Sequence, residues 1–229
     1  MSLLTICQGA ASALSLPAVN AIVGDTSANS ALLLTLAKRE GRELMRRHDW
    51  QGLSFQYEFD SVADNPQTLG LPAGFDRFLA DTIIINNDTN EPVIGPTPTN
   101  VWTMLTTGDR LHWRIFGDDL HIYPPPAAGV PYAYVYVSKN YCKSSDGTGQ
   151  SDWAADSDVA RIPEHLFELG IMWRWLRAKG MDYSEELATY EREVEKAAAR
   201  DRGPAPVMVV QRPRRDLDVC SWSGTITEA

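Results

Sequence analysis

The residues of this chain whose chemistry could serve catalysis or metal binding are four histidines, three cysteines and a run of closely spaced aspartates. His48, His112, His121 and His165 stand apart, with no pair at metal-ligand spacing and no Cys-x-x-Cys beside them. His112 and His121 fall on neighbouring expected strands and read as partly exposed strand residues. Asp146, Asp152, Asp156 and Asp158, with Gly147 and Gly149, could offer oxygen ligands to calcium, but their spacing departs from the D-x-[DN]-x-[DN]-G loop. They read as a solvated connector. Neither glycine-rich phosphate loop is present, nor is the G-x-S-x-G elbow that places a hydrolase nucleophile. The sequence therefore assigns no catalytic residue, no metal ligand and no cofactor.

What remains is a chain of 229 residues, 44% hydrophobic and 22% charged, with ample material for a buried core. Its formal net charge of −9 disfavours a general nucleic-acid binder, which would carry a basic stripe. Cys7, Cys142 and Cys220 are odd in number and scattered, as free thiols in a reducing compartment would be. The first residues lack the basic start and long apolar run of a signal peptide, and no stretch suits a membrane span.

The elements follow from periodicity. Leu3, Ile6, Cys7, Ala10 and Leu14 recur at helical spacing before Pro17. Asp25-Thr26-Ser27 supplies cap chemistry for a second helix through about His48, with Leu33, Leu36, Ala37, Leu44 and His48 on one face. Gly41 marks a point where another backbone can approach, and Lys38, Arg39, Arg42, Arg46 and Arg47 read as a solvated side. From about Leu53 to Tyr141 the spacing becomes that of strands. Thr82 to Asn86 is one, residues 111–116 and 119–123 form a hairpin about Gly117-Asp118, and Tyr132, Tyr134 and Tyr136 share one face of another.

Helical spacing returns after the connector at 144–158. Glu164 to Lys179 carries Leu166, Phe167, Leu169, Ile171, Met172, Trp173, Trp175 and Leu176 around nearly its whole circumference, leaving one polar stripe at Gly170, Arg174 and Arg177. Such a helix is the centre of a bundle or is partly covered by a second subunit. Phe167, Met172, Trp173, Trp175 and Leu176 are accordingly expected in the subunit core or its interface. Gly180 ends this helix and Asp182 caps the next, which runs to about Arg202 and completes a helical hairpin.

Beyond Gly203 the helical period stops. Val207, Met208, Val209 and Val210 form a β-prone run, Arg212, Arg214 and Arg215 a basic cluster, and Trp222 is isolated. A purely solvated tail gains little from such residues, so this segment reads as an arm that orders on a partner. The fold expected is α+β: a helical bundle built from residues 1–50 and 159–202, a β-rich insertion at 51–143, a connector loop at 144–158 and an extended C-terminal arm at 203–229.

Four segments resemble the head–tail adaptor, or connector, proteins of tailed bacteriophages and gene transfer particles. Asp49-Trp50-Gln51-Gly52-Leu53 is similar to that family's D-W-x-x-L. Leu71 to Arg77 is similar to its L-P-x-D-F-x-R, with Gly74 in place of the Asp. Asn100 to Leu105 resembles its W-x-x-L segment, and Arg114 to Pro124 its R-I-x-G-D-x-L-x-x-x-P hairpin. The resemblance implies a virion protein assembled in the host cytoplasm, forming a ring of typically twelve copies under the portal. Its implied partners are the portal protein, a downstream tail or stopper/nozzle protein and other copies of itself. DNA would pass through the lumen without specific binding, and no membrane is involved. On that reading Val207 to Val210, Arg212, Arg214, Arg215 and Trp222 form a portal-binding arm. The alternatives are a small virion-associated enzyme, which lacks a supporting motif, and a tail or receptor-binding module, which would be β-dominated.

Overall fold

The computed structural model describes residues 2–80, 82–107 and 110–201. The expected α+β architecture is observed. The order is α1 (Leu3–Ala13), α2 (Ala28–Arg47), a 3₁₀ turn (Gln51–Leu53), β1 (Ser54–Asp60), β2 (Phe75–Phe78), β3 (Ile84–Asn86), β4 (Glu91–Val93), the short α3 (Thr99–Trp102), β5 (His112–Phe116), β6 (Asp119–Tyr123), β7 (Pro131–Ser138), β8 (Cys142–Lys143), β9 (Gly149–Gln150), β10 (Val159–Ala160), α4 (Glu164–Ala178) and α5 (Ser184–Asp201).

The helices begin where side chains satisfy their free amides. Ser2 caps α1 by accepting from the Thr5 amide, and Ser27 caps α2 by accepting from Ser30 at 3.2 Å. Asp182 accepts from the Ser184 amide at the start of α5. α4 lies at the centre, packed by α1, α2 and α5. On it Phe167, Trp173 and Trp175 are buried within the chain, whereas Met172 and Leu176 are half-buried. Of the polar stripe, Gly170 and Arg174 are buried against α2, while Arg177 is exposed.

β7 is the central strand of the main sheet. It pairs antiparallel with β1 on one side and with β2 and β3 on the other, while β4 extends β3. The strand expected from Thr82 begins only at Ile84, since the Thr82 hydroxyl donates to the Val135 carbonyl and bridges the gap between β2 and β3. One face of the sheet carries Phe59, Ile84, Tyr132 and Tyr134, and the β5–β6 hairpin covers it with Trp113, Leu120 and Ile122. Gly117 in the hairpin turn takes φ +62°, a conformation that glycine adopts without a Cβ penalty.

A second core joins the helices to Trp50, Leu53, Val137, Tyr141, Cys142, Trp153 and Ile162. Here the close approach expected at Gly41 is made by a ring and not by backbone. A Cβ on Gly41 would stand 2.2 Å from Cε2 of Tyr141. The segment 144–158 is anchored at several points, and Trp153 is buried in the helical core. Tyr141 and Arg42 donate to Asp152, the Ile22 and Val23 amides to Asp156, and the Ala154 and Ala155 amides to Asp158.

Candidate assembly surfaces

The four sequence segments singled out above are joints and surface elements of the fold. Asp49-Trp50 ends α2, and the Trp50 indole N–H donates to the Leu44 carbonyl at 2.7 Å, deep in the core. Arg77 reaches back from β2 to the same place. Its guanidinium donates to Asp49 Oδ1 at 2.6 and 3.0 Å and to the Met45 carbonyl at 3.1 Å. It thereby supplies charge and donors to the C-terminal end of α2, where carbonyls lack helical partners. The first two segments thus form one clasp between helices and sheet. Gly74, where the resembled motif has an Asp, lies where a Cβ would meet the Asn140 amide at 2.9 Å.

A charged network absent from sequence expectation fastens three helices. Glu40 is fully buried on α2. Arg174 Nε donates to its Oε2 at 2.8 Å, and the Tyr190 hydroxyl of α5 donates to Oε1 at 2.5 Å. Gly170 makes the room, since a Cβ there would lie 2.2 Å from the Glu40 carboxyl carbon. Arg174 also donates to Glu43 at 2.7 Å, and Arg47 links Glu43 to Glu191 of α5. Burial pushes the Glu40 carboxyl up, against the pull of the Arg174 charge. For Glu43 burial is outweighed by the Arg174 hydrogen bond and charge, which hold it below the usual range. Arg42 and Arg47 are exposed, as the solvated side read from sequence requires, and there they pair with Asp152 and with Glu43 and Glu191.

The buried thiols Cys7 and Cys142 are each pushed up to about 12, first by desolvation, and hold no thiolate at neutral pH. His112 bonds to the Thr97 hydroxyl, while His121 meets the edge of Phe116. Among the described residues no group of three His, Cys, Asp or Glu side chains could hold a metal ion. Nor is any helix there long and apolar enough to cross a membrane.

Among the described residues the exposed large apolar side chains include two groups, besides Leu69, Ile94 and Met181. On the outer face of the sheet, Ile83, Ile85 and Val135 are exposed beside Leu79, Ala133 and Gln56, lining a groove of about 540 Å³. On α3, the turn after it and the hairpin, Val101, Met104 and Phe116 are exposed, Met104 to 79%, and the Trp102 ring meets the Phe116 ring at 5.5 Å. Sequence reasoning missed the first patch because Ile83, Ile85 and Val135 read as ordinary strand residues until pairing showed which face is uncovered. The residues assigned from sequence to a portal-binding arm, Val207, Met208, Val209, Val210, Arg212, Arg214, Arg215 and Trp222, lie outside the described residues.

No curated protein matches the sequence. The family model described as SU10 adaptor protein matches residues 1–215. With that match spanning nearly the whole chain, the resemblance carried by the four segments becomes membership: the chain belongs to the SU10 adaptor protein family, a family of phage head–tail adaptors.

Proposed function

We propose that this adaptor assembles as a ring under the portal, extends the DNA channel and presents its far side to a tail or stopper/nozzle protein. The observation that carries the ring is the pair of unlike apolar patches on one chain. A groove lined by Ile83, Ile85 and Val135 and a separate exposed apolar surface at Met104 and Phe116 are the two unlike surfaces that a head-to-tail contact between identical subunits uses. Contacts of that type close into a ring when the rotation per subunit divides a full turn. Twelve copies follow from the family resemblance.

The body in this reading consists of a helical unit, residues 1–50 with 159–202, carrying the β-rich unit 51–143. Met172 and Leu176, half-buried on α4, add to the neighbour contact, while Phe167, Trp173 and Trp175 hold the subunit core. The segment 203–229 engages the portal, and the net charge of −9 suits a lumen through which DNA slides. The test is a pair of single substitutions, Val135→Asp and Met104→Asp, followed by reconstruction of particles and a count of occupied portal vertices. Both proteins should fold and leave vertices empty of rings. Full occupancy by both variants would overturn the ring contact.

A further inference from the structure

The main sheet ends on β1, and that edge is open. Ser61 donates to the Val130 carbonyl, which fixes the alternation along the β1–β7 pair. The amides of Phe55, Tyr57 and Phe59 therefore face β7, and those of Gln56, Glu58 and Asp60 face away from it. The β7 side agrees, because the Val135 and Pro131 carbonyls, opposite Gln56 and Asp60, are taken by Thr82 and Asn87 on the far side. No described residue bonds to the outward backbone groups of Gln56, Glu58 or Asp60. Beside this edge Phe55 and Tyr57 are only half-buried on one face, and Val135 is 40% exposed on the other. An open edge of this length is a template for one more strand.

The described chain stops at the mouth of that edge. Asp201, the last residue of α5, accepts from the Gln51 amide at 2.9 Å and bonds His48 at 3.2 Å, and the Gln51 side-chain amide donates to its carbonyl. Gln51 lies three residues before β1 begins. Beyond Asp201 the sequence is Arg-Gly-Pro-Ala-Pro followed by Val207-Met208-Val209-Val210, and Pro213 closes the run. From this placement we infer that the free edge of β1 is the docking site for residues 207–210 of the chain's own C-terminal segment, paired parallel to β1.

Length favours the parallel direction. Six residues from Asp201 to Val207 reach ~20 Å at ~3.3 Å per residue, enough to place Val207 beside the start of β1 with slack. An antiparallel course would have to begin farther along β1, opposite Glu58 to pair the same four residues, and would use up that whole reach. Composition agrees. A strand added here meets the aromatic face on one side and the Val135 face on the other, so alternate residues must be apolar in both directions, as Val207, Met208, Val209 and Val210 are. Charge agrees as well. The parallel course carries Arg212, Arg214 and Arg215 to the far end of β1, where Glu58, Asp60 and Asp64 are exposed. Pairing at home also shields an apolar β-run from pairing between chains before assembly. The inference stands independently of the portal contact, which is read on particles, whereas this one is read on the free protein.

The test is residue-resolved amide exchange on the full-length protein, wild type against Met208→Pro/Val209→Pro, which removes donors in either register. In the wild type the Gln56 and Glu58 amides should exchange at least tenfold more slowly than in the variant. The inward amides of Tyr57 and Phe59 serve as the control for an intact sheet and should not change. Equal, fast exchange of Gln56 and Glu58 in both proteins would overturn the docking. Protection that grows with protein concentration would overturn it too, by assigning the strand to a second copy.

Discussion

Replacing Arg174 by Met tests whether the Glu40 network holds the helices together as an electrostatic unit. Methionine fills the space of the Arg stem but cannot donate, leaving the fully buried Glu40 carboxylate with Tyr190 as its remaining side-chain donor. Removing one partner of a buried pair costs about 3–5 kcal/mol, because the other charge is stranded away from water. The bond from Arg174 to Glu43 adds little, since the Glu43 side chain is 36% exposed and turns to solvent. At ~2–4 °C per kcal/mol for a chain of this size, the melting temperature should fall by roughly 6–20 °C. The loss depends on pH with a definite sign. The Glu40 pKa is already raised, first by burial, and without Arg174 it rises further. The folded variant then holds its proton more tightly than the unfolded chain, so stability falls as pH climbs above the ordinary glutamate value of about 4.3. Urea titrations at pH 5 and pH 8 should show the larger deficit at pH 8. Arg174 also covers the Trp173 ring at 4.3 Å, so part of the loss could be packing. Glu40→Gln combined with Arg174→Met separates the two, and should recover most of the deficit by removing the stranded charge. A single variant within ~1 kcal/mol of wild type at both pH values, or a double variant no better than the single, would refute the electrostatic account.

Two further substitutions follow from the geometry. Gly41→Ala drives a methyl into the Tyr141 ring, which is itself packed against Trp153 and Phe167, and should cost about 1–3 kcal/mol in a urea titration. Arg77→Ala releases Asp49 and the Met45 carbonyl and should cost about 1–2 kcal/mol, with Arg77→Lys failing to restore it because one ammonium cannot reproduce the forked contacts.

The helical part of the fold was legible because its spacing is local. Ser27 announces α2, the dense apolar run announces α4, and both are found within a residue or two of their expected ends. The β5–β6 hairpin was legible for the same reason, since Gly117 declares its turn. What escaped is what depends on partners far along the chain. Arg174 read as part of a polar stripe, yet its partner Glu40 stands on a helix more than a hundred residues earlier. Asp152 and Asp156 read as part of a solvated connector, because Arg42 and the Ile22 and Val23 amides that bond them lie more than a hundred residues earlier. Ile83, Ile85 and Val135 carried no mark of exposure, since a strand's pattern does not say which of its faces is covered. The adaptor motifs were visible as strings, but their purpose was not: the clasp of Asp49 and Arg77 exists only once β2 is laid against the end of α2.

That α4 packs against both α1 and α2 bears on the order in which the subunit is made. The helices nearest the N-terminus leave the ribosome first, but Leu3, Ile6, Leu33 and Leu44 are buried in a core that also requires Leu166, Phe167 and Ile171. The aromatic core between the sheet and the β5–β6 hairpin is complete once Tyr134 has been added. During synthesis the middle of the chain can therefore condense while its beginning waits, holding an apolar helix pair without its third member. Contacts between residues this distant in sequence slow folding. The waiting helices are the part of the nascent chain that needs protection from aggregation, and they stay so until α4, which ends at Ala178, has been synthesised.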